Sequence, residues 1–359
     1  MSHLKRFQAL LSEKGFDAAI VSDKMNQRYL SGFDFDDGLV LVTPKEAYLL
    51  TDFRYAEAAQ EKTTKEMQVL IPKEGLLVCI ASLLSSHGCQ RVCIEELHLS
   101  YGDFLSYEKK LAPTALSGGA SEMLYELRLH KDEEEIATVA RAQKITDAAF
   151  AHILTAIKPD MTEVEVALEL EYFMKKNGAE ALAFDTIAVS GSNSSRPHGV
   201  PRHCKLEKGF LTLDFGARVD GYCSDMTRTV VLGTADAEIK RVYNTVLHAQ
   251  TAALEAACEG IGCRALDAVA RDIINAAGYE GCFGHSLGHG LGMLVHENPR
   301  VAPGAAPESV LERGHIVSVE PGIYIAGKYG CRIEDLICIR NDGSVYNFTH
   351  SPKELIELF

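Results

Sequence analysis

Apolar and polar positions alternate in short blocks over the first third of the chain, and the blocks predict helices and strands in turn. Residues 4–14 repeat their apolar side chains at helical spacing and stop at Gly15, and 18–22 form a short apolar strand. Residues 39–43 and 47–51 are two apolar runs joined by Pro44-Lys45-Glu46 as a hairpin, and 91–94 is another strand. This pattern predicts an α/β domain of roughly 120 residues. Small residues at 117–121 then break the pattern and a charged run at 128–135 follows, which places a boundary near 122–130 and divides the chain into 1–124 and 125–359. Asp132 to Glu135 read as the acidic first turn of a helix over 132–157. A second helix starts at Thr162, where Thr162 and Glu165 make a capping box, and ends at Gly178. Helices at 237–258 and 265–277 follow, and strands are expected at 183–190, 210–217, 222–232, 316–320 and 331–340. Helices and hairpins segregate, so the second domain is α+β with an antiparallel sheet.

Composition narrows the classes of function. The 359 residues are 47% hydrophobic and 24% charged, which is globular, and the net charge of −14 gives no general attraction to nucleic acid or an anionic membrane. The longest apolar stretch, 76–84, is far short of the roughly 20 residues of a membrane span. The ten cysteines are scattered without a CxxC pair, and no signal peptide is evident at the N-terminus. Reduced, mostly buried thiols and a cytoplasmic location are therefore expected.

Two hairpins hold the candidate chemistry. With 218–221 taken as the turn of the first, Ala217 faces Tyr222 and Asp214 faces Asp225. Directly opposed residues share a face, with Cβ atoms about 5 Å apart. In the second, a turn centred on Gly327 sets Glu320 opposite Glu334. Any one of these acids reads plainly as a solvated strand residue. Two opposed pairs in apolar strands do not, because like charges facing each other repel unless a cation stands between them. The matched pairs also hint at an internal duplication. Between the hairpins, His285, His289 and His296 lie in a glycine-rich segment, and His198 sits in a loop with Pro197 and Pro201. The histidines form no HExxH, which argues against a single-zinc protease of that class. Four carboxylates and a neutral imidazole balance two divalent cations, and their oxygen-rich character favours Mn(II) or Co(II) over a thiolate-bound zinc. Two such ions sharing a water make hydrolysis the natural reaction.

These residues resemble the pita-bread metallopeptidase family of methionine aminopeptidase, aminopeptidase P and prolidase. The resemblance rests on Leu213-Asp214-Phe215-Gly216, on Ser224-Asp225-Met226-Thr227-Arg228-Thr229 and on Gly288-His289-Gly290-Leu291-Gly292. Val319-Glu320-Pro321-Gly322 and Arg332-Ile333-Glu334-Asp335 complete it. It covers residues 130 to 359 and implies a C-terminal pita-bread fold, an antiparallel sheet with flanking helices, preceded by a smaller α/β domain. It implies that Asp214 chelates one metal, that His289 and Glu320 bind the other, and that Asp225 and Glu334 bridge them. Glu320 is then the candidate to handle the proton of the attacking water. His198, His285 and His296 fall where the family contacts substrate or stabilises the tetrahedral intermediate, and Arg332 matches an arginine beside the Asp214 carboxylate. Met293 and Phe53 depart from the pattern, and neither touches a ligand position. The N-terminal domain and Leu50-Thr51-Asp52-Phe53-Arg54-Tyr55 resemble the creatinase, aminopeptidase P and prolidase branch. Creatinase itself uses no metal and lacks the ligand set. The resemblance therefore implies cleavage of a Xaa-Pro bond in a peptide with proline at its second position, by a homodimer. An aminopeptidase acting on longer peptides is preferred to a dipeptidase, since no insertion marks a clamp for a substrate carboxylate. A pita-bread binding protein without catalysis is the reading of another class, and its signature would be a missing ligand.

Overall fold

A computed structural model describes residues 1–359, which form two compact units, Met1–Arg128 and Leu129–Phe359. In the first, a six-stranded sheet runs in the order Gln68–Leu70, Ala47–Thr51, Gly38–Val42, Ala18–Val21, Arg91–Ile94, Ala115–Ser117. The two central strands, Gly38–Val42 and Ala18–Val21, are almost wholly buried. They read as continuous apolar runs because both faces of the sheet are covered. The helix Leu76–Ser86 accounts for the longest apolar stretch, burying Ile80 and Leu84 in this unit's core. No helix of the chain is long and apolar enough to cross a membrane.

The second unit repeats one order of elements twice. A long helix, Glu133–Ala156, turns back into Glu163–Lys176 and leads to the antiparallel strands Gly209–Phe215 and Met226–Leu232. Later Ala237–Ala256 turns into Cys263–Ile274 and leads to Ile316–Val319 and Asp335–Ile339, also antiparallel. Each helix pair covers its own sheet. Phe150, Leu170 and Met174 pack on Leu211, Leu213 and Val230, whereas Val246, Leu266 and Ile274 pack on Val317, Val319 and Ile337. The expected capping box forms at Thr162 with Glu165, and the acidic turn at Asp132 holds a second one with Glu135 that the charge pattern alone did not single out. Residues 183–190 are not one strand, however. Ala181–Leu182 and Ile187–Ser190 belong to different sheets, and the chain between them lines the cavity described below.

The first hairpin has a different register from the one its sequence predicts. Its turn is the pair Asp220 and Gly221, with φ of 47° and 88°, the left-handed conformation of a tight two-residue hairpin. Val219 therefore faces Tyr222, and Asp214 faces Thr227 rather than Asp225. The shift is two residues, so parity is kept and both aspartates remain on one face as diagonal neighbours. In the second hairpin Val319 pairs with Asp335 and Gly322 with Arg332, which leaves Glu320 opposite Glu334 as expected.

His315, at the head of the strand Ile316–Val319, is buried and stacked on His130 with ring centroids 4.9 Å apart. Burial, helped by the charges of His130 and Lys131, pushes its pKa from 6.5 down to about 3. The unfolded chain accepts a proton below 6.5 that the folded chain refuses. Stability from this group is thus complete above 6.5 and falls as pH drops towards 3, by up to about 1.4 kcal/mol per pH unit. Urea melts at pH 7 and pH 5 check this: the wild type should lose more stability over that step than His315→Gln.

Candidate metal centre

The two hairpins and the glycine-rich segment bring Asp214, Asp225, His289, Glu320 and Glu334 to the floor of one cavity. Ligand atoms of Asp225, His289 and Glu334 lie within 4.8 Å of one another. The strand Gly288–Gly290 carries His289 between neighbours that have no room for side chains. A Cβ on Gly288 would stand 1.9 Å from Ser318 O, and one on Gly290 2.0 Å from Asn298 O. Gly216 is held the same way, 2.0 Å from Ser224 O, which lets the chain bearing Asp225 approach. Glycine is required at these positions by close backbone contact, not by φ.

The donor set fits divalent cations. His289 Nδ1 is 3.0 Å from the carbonyl oxygen of Gly290, so that nitrogen donates and Nε2 presents its lone pair to the acids. Nε2 faces Glu320 Oε1 at 3.3 Å and Asp225 Oδ2 at 3.6 Å. Asp214 Oδ1 is buried without any hydrogen-bond partner. Acceptors facing acceptors in a buried space need positive charge among them. Burial and then the charges of the other acids push Asp225 and Glu334 far above the usual carboxylate range. Asp214 also rises, mainly through burial, although Arg332 opposes the shift. Glu320 behaves differently. Without cations a proton on His289 Nε2 fills the gap instead, its pKa raised against burial by the contact with Glu320, and that hydrogen bond and charge hold Glu320 at about 2 despite its burial.

Arg332 orients the remaining polar atoms. Its Nη2 donates to Asp214 Oδ2 at 2.6 Å, Nε donates to Thr227 Oγ1 at 2.9 Å, and Nη1 donates to Tyr324 Oη at 2.6 Å. Thr227 in turn donates to Glu334 Oε2 at 2.7 Å. His285 Nδ1 lies 2.8 Å from the carbonyl oxygen of Ser286, so its Nε2 accepts from Tyr324 at 3.0 Å. Both ring nitrogens of His285 are engaged, and burial lowers its pKa. His296 packs edge-on against His289, centroids 4.4 Å apart, and His198 is exposed at the cavity rim.

The cavity has a volume of about 410 Å³. Its walls beyond the polar floor are Phe184, Ile187, Pro197, Val200, Pro201 and Val295. Sequence reasoning brought forward the five ligand candidates and the three further histidines of this cavity but missed Asp185, Tyr324 and Arg300. Arg300 lines the cavity, pairs with no carboxylate of the chain, and adds its positive charge near His289 and His296. Its orientation follows from the strand it sits in, which Glu297-Asn298-Pro299-Arg300-Val301 does not announce by apolar alternation. In the strand Glu297–Val301 the odd positions are buried, so His296 and Arg300 fall on the opposite, open face.

Residues 137–341 match metallopeptidase family M24, and residues 3–130 match the creatinase/prolidase N-terminal domain. A protein named Xaa-Pro dipeptidase from Pyrococcus horikoshii is 37% identical over 98% of both chains. Among solved structures, a Xaa-Pro dipeptidase from Bacillus anthracis superposes with a TM-score of 0.92 at 39% identity, covering 99% of each chain. An X-Pro aminopeptidase from Thermotoga maritima gives 0.92 at 34%, covering 98% of this chain and 100% of that one.

Proposed function

The chain belongs to metallopeptidase family M24, in the pita-bread branch with a creatinase/prolidase N-terminal domain, and on that premise we propose that it hydrolyses Xaa-Pro bonds with dipeptides as preferred substrates. It is a metal-dependent hydrolase. Asp214, Asp225, His289, Glu320 and Glu334 would hold two divalent ions, and their oxygen-rich character favours Mn(II) or Co(II). Such ions supply Lewis-acid polarisation of a carbonyl and a water acidified to near neutral pH.

The side chains do the rest. Glu320 is oriented by Ser318 Oγ at 3.0 Å and lies beside His289 Nε2 at 3.3 Å, so it is the group to take up the water's proton and pass it to the leaving nitrogen. Arg332 holds Asp214 in one rotamer and, through Tyr324, holds His285 against the cavity wall. His198 and His296 line the cavity with nitrogens free to donate to an oxygen that gains charge as the peptide carbonyl becomes tetrahedral. The apolar wall with Pro197, Val200 and Pro201 excludes water around the proline ring. Ten free cysteines suit the reducing cytoplasm. The homodimer expected of this branch is part of the same reading, and light scattering tests it.

Arg300 carries the preference for dipeptides. An unpaired guanidinium on the cavity wall is the partner a free proline carboxylate needs, and a longer peptide has no carboxylate there. With Mn(II) added, Ala-Pro should be cleaved with a higher kcat/KM than Ala-Pro-Pro. Arg300→Met should raise KM for Ala-Pro by about 10- to 100-fold, the worth of a charge-assisted hydrogen bond, and leave Ala-Pro-Pro nearly unchanged. A wild type that favours Ala-Pro-Pro overturns the dipeptide preference in favour of the aminopeptidase reading. Activity on neither peptide defeats Xaa-Pro hydrolysis itself.

A further inference from the structure

Glu163 lies at the first turn of the helix Glu163–Lys176, where an acidic side chain ordinarily faces water and complements the helix dipole. Here it is fully buried, with none of its side chain exposed. Its Oε1 accepts from Ser190 N at 2.8 Å, Ser190 Oγ at 2.9 Å and Arg202 Nη2 at 2.8 Å. Its Oε2 accepts from Asn193 Nδ2 at 2.9 Å, Arg202 N at 2.9 Å and Arg202 Nε at 3.0 Å. Ser190 and Arg202 are the two ends of one segment, and Asn193 is inside it. Glu163 thus ties both ends of residues 190–202 together from the buried side, while Glu207 accepts from Ser192 N at 3.2 Å and Arg202 Nη2 at 3.1 Å on the outer side.

That segment supplies Pro197, His198, Gly199, Val200 and Pro201 to the cavity. It is packed on itself: Ser194 Oγ donates to Gly191 O at 2.7 Å, and a Cβ on Gly199 would press to 3.1 Å on Asn193 O and on Val189. Its first residue, Ser190, ends the strand Ile187–Ser190, which pairs with the strand carrying Asp214, and a second tie to the metal floor lies further along. There Gly330 N donates to Ser194 Oγ at 2.9 Å, in the strand Tyr329–Arg332 that ends in Arg332, and Arg332 Nη1 reaches Pro197 O at 3.4 Å. The opposite edge is held by Glu163 inside and by Glu207 at the surface. Burying the Glu163 carboxylate costs desolvation that its attraction to the partly exposed Arg202 barely offsets, so the pair contributes little net stability and is understood better as a device for geometry.

We infer that Glu163 is a positioning residue of the substrate cavity, which through Ser190, Asn193 and Arg202 sets the distance of His198 and the proline-ring wall from the metal floor. This rests on the Xaa-Pro reading above and adds a residue remote from every ligand atom to it. Glu163 touches no substrate; it acts through the segment it closes.

The test is a double-mutant cycle on the metal-loaded full chain with Ala-Pro. Glu163→Gln keeps the shape but turns an acceptor into a donor that faces donors. Its kcat/KM should fall by about tenfold, mainly through KM, a size typical of coupled side chains. In the His198→Ala background the same change should cost almost nothing further, because the misplaced group is already absent. Metal stoichiometry should be unchanged, and faster hydrogen exchange should be confined to 190–202. Arg202→Met is the second variant. It leaves Glu163 with both Ser190 donors, Asn193 and the Arg202 backbone, so it keeps the fold should Glu163→Gln fail to. It should show a smaller loss with the same non-additivity, and Arg202→Lys should restore part of it. Losses that simply multiply with His198→Ala, unchanged exchange over 190–202, or loss of metal would each overturn the inference. A wild type inactive on Ala-Pro counts against the functional reading instead, and the exchange result then decides the brace alone.

Discussion

Asp225→Asn should abolish metal uptake and peptide hydrolysis together, lowering kcat/KM by at least about 10³-fold, the several kcal/mol that metal-assisted charge stabilisation contributes. Asparagine has the size of aspartate, so the cavity keeps its shape and only charge is removed. Asp225 lies on the same face as Asp214, is buried to 4% exposure, and points Oδ2 at the lone pair of His289. Without cations that charge opposes folding, because Glu334, Asp214 and Glu320 all repel it. The metal-free variant should therefore melt no lower than metal-free wild type. Added Mn(II) should raise the wild-type Tm and leave the variant's unchanged. Calorimetric titration of both proteins with Mn(II), beside an Ala-Pro assay, measures the two effects independently. An active variant with full metal content would remove Asp225 from the ligand set. A variant that simply melts far below the wild type without metal would show that the residue is needed for the fold.

Arg228→Met should destabilise the Leu129–Phe359 unit by about 3–5 kcal/mol, the cost of breaking a buried ion pair on one side. Arg228 is 1% exposed and shares no surface with the cavity. Its Nη2 donates to Asp335 Oδ1 at 2.8 Å and to Ser351 O at 2.9 Å, and Nε donates to Pro352 O at 3.1 Å. Nη1 donates to the carbonyls of Thr227 and Glu334. Methionine fills the volume but leaves those carbonyls without donors, and Asp335 keeps only Lys353 and Asn347. A unit of this size should lose roughly 10 °C in Tm, read as the shift of its own calorimetric transition. The same variant should weaken Mn(II) binding, since Arg228 holds the backbone of Glu334 in place. A Tm within about 2 °C of wild type would mean that neighbouring side chains take over the exposed carbonyls.

The two hairpins show what local sequence can and cannot convey. Same-face placement of Asp214 and Asp225 was legible because strand side chains alternate with period two, and an error of two residues leaves parity intact. The opposition comes out misplaced when 218–221 is read as a four-residue turn, although Asp220-Gly221 is the dipeptide that a tight two-residue hairpin favours and sets the register. In the second hairpin the turn lay where the glycine placed it, so Glu320 came opposite Glu334 directly. The expected single strand at 183–190 failed for another reason. Phe184, Asp185 and Thr186 leave the sheet to line the cavity, a tertiary demand that outweighs β-propensity. His285 shows the same limit for roles. Its place at the site was readable from the glycine-rich segment, whereas the commitment of both its ring nitrogens follows from Tyr324 and Ser286.

Residue types at periodic spacing determined the paired acids, the histidines beside them, the helix caps and the two-part organisation, because each depends on neighbours within a few positions. Only the tertiary structure decided that Arg300 stands unpaired in the cavity, that Arg332 and Tyr324 link Asp214 to His285, and that a buried Glu163 closes the segment bearing His198. Those contacts join residues far apart in the chain. Which distant side chains meet is set by how two helix pairs close over their sheets, and no local periodicity encodes it.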